Sequence, residues 1–195
     1  MSSLLDIYHR ATPAQLAQGR AWYDEYRREC GAISRRTNVP LRRVVATAAI
    51  TSPDAQLVSN MAWAMRACES LGDAPAGRYP NAMQARYRPI LRGETAPLEG
   101  VGGLKVTNFY RAILGDPNAV VLDRWALRAV GHDRDTCTPN QYMRYTALYS
   151  EAAHAVGETP RDFQAIVWTV LREGATRADG RKNTLRDIHD IRRAA

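Results

Sequence analysis

Four hydroxyl-proline pairs punctuate the chain: Thr12-Pro13, Ser52-Pro53, Thr138-Pro139 and Thr159-Pro160. In each, the hydroxyl can accept from free backbone amides, while proline at the first helical position has no amide to leave unpaired and a φ already suited to a helix. Each pair is therefore expected to open a helix. Gln15, three residues after Thr12, completes a capping-box spacing, and Leu16, Trp22, Tyr23 and Tyr26 recur at helical intervals to about Arg35. Residues 41–50, LRRVVATAAI, are apolar nearly all round after the arginines, which predicts a helix sunk in the core. Leu57, Met61, Ala64, Met65 and Cys68 make the apolar stripe of the helix expected after Ser52-Pro53. Further helices are expected near 81–91, 104–114, 124–130, 139–156, 160–173 and 183–193, with GDAPAGRYP at 72–80 as an exposed connection. No alternating strand pattern of useful length and no internal repeat occurs. The reading is all-α: one compact helical domain over 1–173, followed by a basic tail over 174–195.

A length of 195 residues with 45% hydrophobic content supports one substantial core rather than two. The formal charge of +7 favours a polyanionic partner, nucleic acid first. Of the 27 basic residues only two, Lys105 and Lys182, are lysines. Lysine alone of the two types can lose its proton near neutrality, so a lysine that persists among arginines marks a position to examine. No apolar run approaches the roughly 18 residues of a spanning helix, and MSSLLDIYHR lacks the features of a signal peptide. A soluble, cytoplasmic protein with no membrane partner is expected, and no protein partner is inferable. Cys30, Cys68 and Cys137 form no CxxC pair, so neither a disulfide framework nor a metal cluster is expected, and no cofactor. His132 lies near Cys137 without a second ligand pair to make a zinc site. His9, His154 and His189 read as surface positions, Trp63 and Trp168 as core. Strings of the GxxxxGK[ST], HExxH and GxSxG types do not occur.

The segment that carries chemistry is 98–131, LEGVGGLKVTNFYRAILGDPNAVVLDRWALRAVG. Gly100, Gly102 and Gly103 precede a helix expected from Leu104 and can form a tight hairpin with outward amides, a setting suited to phosphate, or an ordinary helix-to-helix turn. Lys105 falls in the first turn after the glycines; Asp123 follows the apolar run AVVL and begins the helix DRWALRAV, which it can simply cap.

Together these strings resemble the helix-hairpin-helix DNA glycosylase superfamily, the endonuclease III-like group, in which an LPGVGxK hairpin precedes a VDxHVxR segment bearing the catalytic aspartate. LEGVGGLK and LDRWALR are the corresponding text here, and AAITSPDAQLVSNMAWAMRAC is similar to the family's early helix pair. The resemblance implies a helix-hairpin-helix motif and DNA as the partner. It implies that Asp123 stabilises the sugar cation formed when a flipped nucleotide loses its base, and that Lys105 attacks C1′ to form a Schiff base. Either residue can also be read more plainly, Asp123 as a helix cap and Lys105 as a phosphate contact. Gly100, Gly102, Gly103 and Arg124 would meet DNA, Gln56 and Asn60 would fill the gap left by the flipped base, and Tyr110 and Trp125 would line the base pocket. Phe109 is expected to pack inward. Glu99 replaces the hairpin proline, Arg124 and Trp125 replace the threonine and histidine after the aspartate, and the four-cysteine iron-sulfur loop is missing. These departures keep two alternatives open: a DNA base-hypermodification transferase of similar fold, and a DNA-binding protein without catalysis. The segment from Gln141 to Glu173 looks like small phage-borne proteins of this broad type, which would put the protein in a host cytoplasm.

Overall fold

The computed structural model describes residues 3–173 and 175, so the helix expected over 183–193 and nearly all of the tail lie outside the described residues. The described residues form ten helices and no strand. In order these are α1 (Leu4–His9), α2 (Pro13–Thr37), α3 (Leu41–Thr51), α4 (Leu57–Glu69), α5 (Pro80–Arg92), α6 (Pro97–Gly100), α7 (Leu104–Ile113), α8 (Arg124–Ala129), α9 (Pro139–Ala155) and α10 (Pro160–Glu173). The all-α reading holds. None of the helices is long and apolar enough to cross a membrane.

Three of the four hydroxyl-proline pairs start helices as expected. Thr12 and Gln15 exchange the two bonds of a capping box at the start of α2 (3.2 and 2.8 Å), and Thr138 and Gln141 do the same for α9. Ahead of α10 the Thr159 hydroxyl accepts from the Asp162 amide at 3.1 Å. Ser52-Pro53 is the exception. Ser52 remains helical (φ −71°, ψ −27°), and its hydroxyl turns back to donate to the Ala49 carbonyl at 2.9 Å. It closes α3 instead of opening α4, which begins at Leu57 after a turn through Asp54 at φ 56°. Two helices went unforeseen: α1, which starts on a capping box between Ser3 and Asp6, and the four-residue α6.

By their contacts the residues fall into two compact units. One takes the chain up to Tyr23 and again from Gly115 through α10; the other is Asp24–Leu114. In the first, α10 packs on α1, α8 and α9, around a core that includes Leu4, Ile7, Leu122, Leu127, Tyr149, Phe163 and Val167. α2 contributes Gly19, where an added Cβ would lie 2.6 Å from the Ile166 Cα, so the two backbones approach as closely as glycine permits. In the second unit α3 is central, fully buried from Val44 to Thr51 and packed on α4, α5, α6 and α7. That burial is what its nearly all-round apolar sequence predicts.

Asn60, expected to reach into DNA, lies instead inside this second unit with 2% exposure. Its amide donates to the Tyr26 hydroxyl and to the Ala48 carbonyl (3.0 Å), and its oxygen accepts from Thr51 at 2.6 Å. Every polar atom of the side chain thus serves the junction of α2, α3 and α4, so, contrary to the expectation, Asn60 does not reach toward a nucleotide. Gln56 sits on the surface at the start of α4.

Candidate functional site

Asp123 closes a non-helical run, Ala119–Leu122, whose four side chains are all buried. Its own backbone is extended (φ −88°, ψ −178°), the conformation of a residue that caps a helix. Oδ1 accepts from the amides of Trp125 (3.0 Å) and Ala126 (2.9 Å), the free donors of the first turn of α8. The second oxygen, Oδ2, accepts from the Trp168 indole N–H of α10 at 2.9 Å. Three N–H donors on two elements therefore fix a half-buried carboxylate.

The surroundings are aromatic. Trp168 lies against Trp22 of α2, with ring centroids 4.8 Å apart and planes tilted by 41°, and the Arg172 guanidinium sits 5.2 Å from the Trp168 centroid. Beneath them Tyr23 donates to Gln164 at 2.6 Å and Tyr149 to the Ala126 carbonyl at 3.1 Å. Both phenols are held well above their ordinary range, first by burial and then by the negative charge of Asp123. Trp22 and Trp168, read from sequence as helix-stripe and core residues, are half-buried; Trp168 binds the carboxylate and Trp22 packs on Trp168.

The glycine segment belongs to the other unit. Gly102 and Gly103 adopt φ of 52° and 64°, a left-handed pair that turns the chain sharply between α6 and α7. Gly100, expected to be a third hairpin glycine, ends α6; a Cβ there would meet the Ile90 side chain at 2.5 Å, so its role is close packing. Arg86 of α5 reaches the turn and donates to the carbonyls of Val101 and Gly102, the latter at 3.4 Å, and burial draws its pKa down. Leu98, Glu99, Leu104 and Lys105 are exposed around the turn.

The remaining candidates scatter. Lys105 stands in the Asp24–Leu114 unit and Asp123 in the other. Arg124 is exposed, 3.9 Å from Asp135, and Arg128 pairs with the same carboxylate at 3.4 Å while lying 5.3 Å from the Trp125 centroid. Trp125 is half-buried. Tyr110, expected in a base pocket, is 5% exposed on α7, and burial raises its phenol pKa, so it supports the core. Phe109 packs edge-on to Tyr26 at 5.1 Å, inward as expected. His132 is tied to the Thr136 carbonyl at 2.8 Å and to the Tyr145 hydroxyl at 3.2 Å. Among the described residues no group of three His, Cys, Asp or Glu side chains is placed to hold a metal ion.

Residues 1–175 match a family of unknown function, DUF7178. The chain belongs to the DUF7178 family. No curated protein matches it, and no solved structure does. All ten helices of the described residues fall inside the match, so the Asp123 cluster and the glycine turn of this DUF7178 protein are both parts of the family region.

Proposed function

We propose that this DUF7178 protein is a DNA glycosylase-like enzyme acting on a modified or damaged base, with Asp123 as the residue that stabilises the reacting sugar. The supporting observation is the carboxylate itself: half-buried, at a helix start, and fixed by three N–H donors, one of them from Trp168, which packs on Trp22. When the glycosidic bond breaks, the base leaves with the bonding electrons and is protonated, the sugar becomes cationic at C1′, and water adds there with loss of a proton. A carboxylate already held in place stabilises that cation without reorganising as charge develops. Indole faces beside it would stack on an extruded base, an interaction worth about 1–3 kcal/mol per base.

DNA as the partner rests on the formal charge of +7 and on the reading of α6, the Gly102–Gly103 turn and α7 as a helix-hairpin-helix element. Gly102, Gly103, Lys105, Arg124 and Gln56 are the contacts assigned to it. A nucleophilic lysine is normally a desolvated one. Lys105 is exposed, and its proposed role is a phosphate contact. The enzyme would work in the cytoplasm, alongside DNA.

The deciding experiment incubates the protein with duplexes carrying diverse modified bases and examines the products. Abasic sites that Asp123→Asn no longer produces, with DNA binding kept, are the expected result. Wild-type turnover in that variant would refute the role of Asp123. A changed base mass without abasic sites would point to the transferase. Borohydride trapping compared between wild type and Lys105→Ala decides the lysine: an adduct lost in the variant would restore the Schiff-base role. The second reading is DNA binding without catalysis. It is favoured by the full engagement of Asp123 in capping α8 and holding Trp168, and retained binding with no product would establish it.

A further inference from the structure

The two helices that carry Trp22 and Trp168 also carry three buried glutamines, Gln15 and Gln18 on α2 and Gln164 on α10. Gln15 is engaged with Thr12 and with Glu173, and Gln164 accepts from Tyr23. Gln18 is different. It is 5% exposed, and its carbonyl oxygen is buried without a hydrogen-bond partner among the described residues. A buried acceptor left unpaired costs free energy, and native folds seldom keep one without a use.

Its position suggests the use. Gln18 and Trp22 are four residues apart on α2, hence neighbours on one helix face, and helical side chains lean toward the N-terminus, which brings the Trp22 indole over the turn that bears Gln18. Trp22 packs on Trp168, whose N–H is bound to Asp123. Acceptor, aromatic pair and carboxylate thus follow one another within a single unit. The Arg172 guanidinium over Trp168 marks a ring face on which a flat polar group already rests and which a base could take over.

We infer that Gln18 selects the base: its carbonyl oxygen accepts an N–H from an exocyclic amino group on a nucleobase lodged against Trp22 and Trp168. The substrate class is therefore an amino-bearing base of the cytosine or adenine type, in preference to its keto counterpart. A keto oxygen in the same place would set acceptor against acceptor and leave both unpaired. The inference rests on the reading of the Asp123 cluster as a nucleobase site.

The test uses the full chain and short thymidine oligonucleotides with one central substitution, cytosine against uracil and adenine against hypoxanthine. Each pair differs chiefly in an amino group replaced by a keto oxygen. Affinity is measured by fluorescence anisotropy. Wild type is expected to favour the amino member of both pairs by about tenfold, the order set by one buried hydrogen bond. Gln18→Met, similar in volume but without the carbonyl, is expected to narrow the preference to within about twofold. Equal wild-type affinities within each pair would overturn the inference while leaving the glycosylase reading in place, and a preference for the keto members would overturn it by making the amide a donor. Failure to bind any oligonucleotide, together with no product from duplex DNA, would sink both. The wild-type comparison stands even if the variant does not fold.

Discussion

Asp123 both caps α8 and holds Trp168, and the two roles can be separated by substitution. Asp123→Ala removes everything at once. The lost cap costs about 1 kcal/mol, and the indole N–H bond to a charged, half-buried acceptor about 1.5 kcal/mol, for a total near 2.5 kcal/mol. For a chain of this length that is a fall in Tm of about 5–10 °C. Asparagine is as good a cap as aspartate, so Asp123→Asn keeps the bonds from Trp125 and Ala126 but turns an amide nitrogen toward the Trp168 N–H. It should lose only the second contribution. Trp168→Phe removes the donor, and after it the asparagine substitution has nothing further to break. The cycle built from Asp123→Asn and Trp168→Phe should therefore show a coupling of about 1.5 kcal/mol by urea denaturation followed by circular dichroism. Two effects that merely add, within about 0.5 kcal/mol, would mean that the indole contributes nothing to holding the carboxylate, and that Asp123 is fixed by the α8 amides alone.

Two further perturbations test the fold around the site. Gly19→Ala gains about 1 kcal/mol of helix propensity but drives a methyl to 2.5–2.8 Å of the side chain and backbone of Ile166; a net loss of about 1–3 kcal/mol is expected in thermal melts, and a variant as stable as wild type would contradict the close approach of α2 and α10. Burial pushes the Cys68 thiol up to about 12 and the Cys30 thiol higher still, while Cys137 is half-buried and raised less. Since a raised pKa keeps the thiol protonated until the pH climbs toward it, Ellman's reagent at pH 8 should modify Cys137 first and faster with rising pH, with Cys30 and Cys68 reacting only in denaturant. Rapid modification of all three in the native protein would contradict that burial.

The signals that could be read from sequence were those carried by neighbouring residues. Thr12, Thr138 and Thr159 cap the helices they precede because cap, proline and amide all lie within four positions. The same local pattern at Ser52 was decided the other way by a hydroxyl that turned back to Ala49. The six residues of α1 are too few for a periodic stripe to stand out. Asn60 carried a usable signal: it falls in register with Ala64, Ala67 and Cys68, the buried face of α4, and register outweighs polarity when partners such as Thr51 and Tyr26 are waiting. The start of α8 at Asp123 was also local. The indole that binds its other oxygen comes from 45 positions away, and Trp22 from α2, so no spacing rule reaches them. Gly100 and Gly102 look alike in the string GVGG; one spares a clash with Ile90 and the other takes a left-handed φ that side chains rarely adopt, a distinction that only the folded structure makes.

A helix as short as α1 has no standing of its own in water, because the penalty for starting a helical turn is never recovered over six residues. It persists through what it touches: Leu4 and Ile7 are inserted among core side chains, and Tyr8 lies flat on Phe163, 5.3 Å between rings, while its hydroxyl donates to Glu158. Peptide-amide exchange over those few positions would therefore gauge the integrity of α9 and α10 more than that of α1 itself. Whatever loosens the floor under Trp168 should register there early, making this segment a built-in strain gauge for the carboxylate's surroundings.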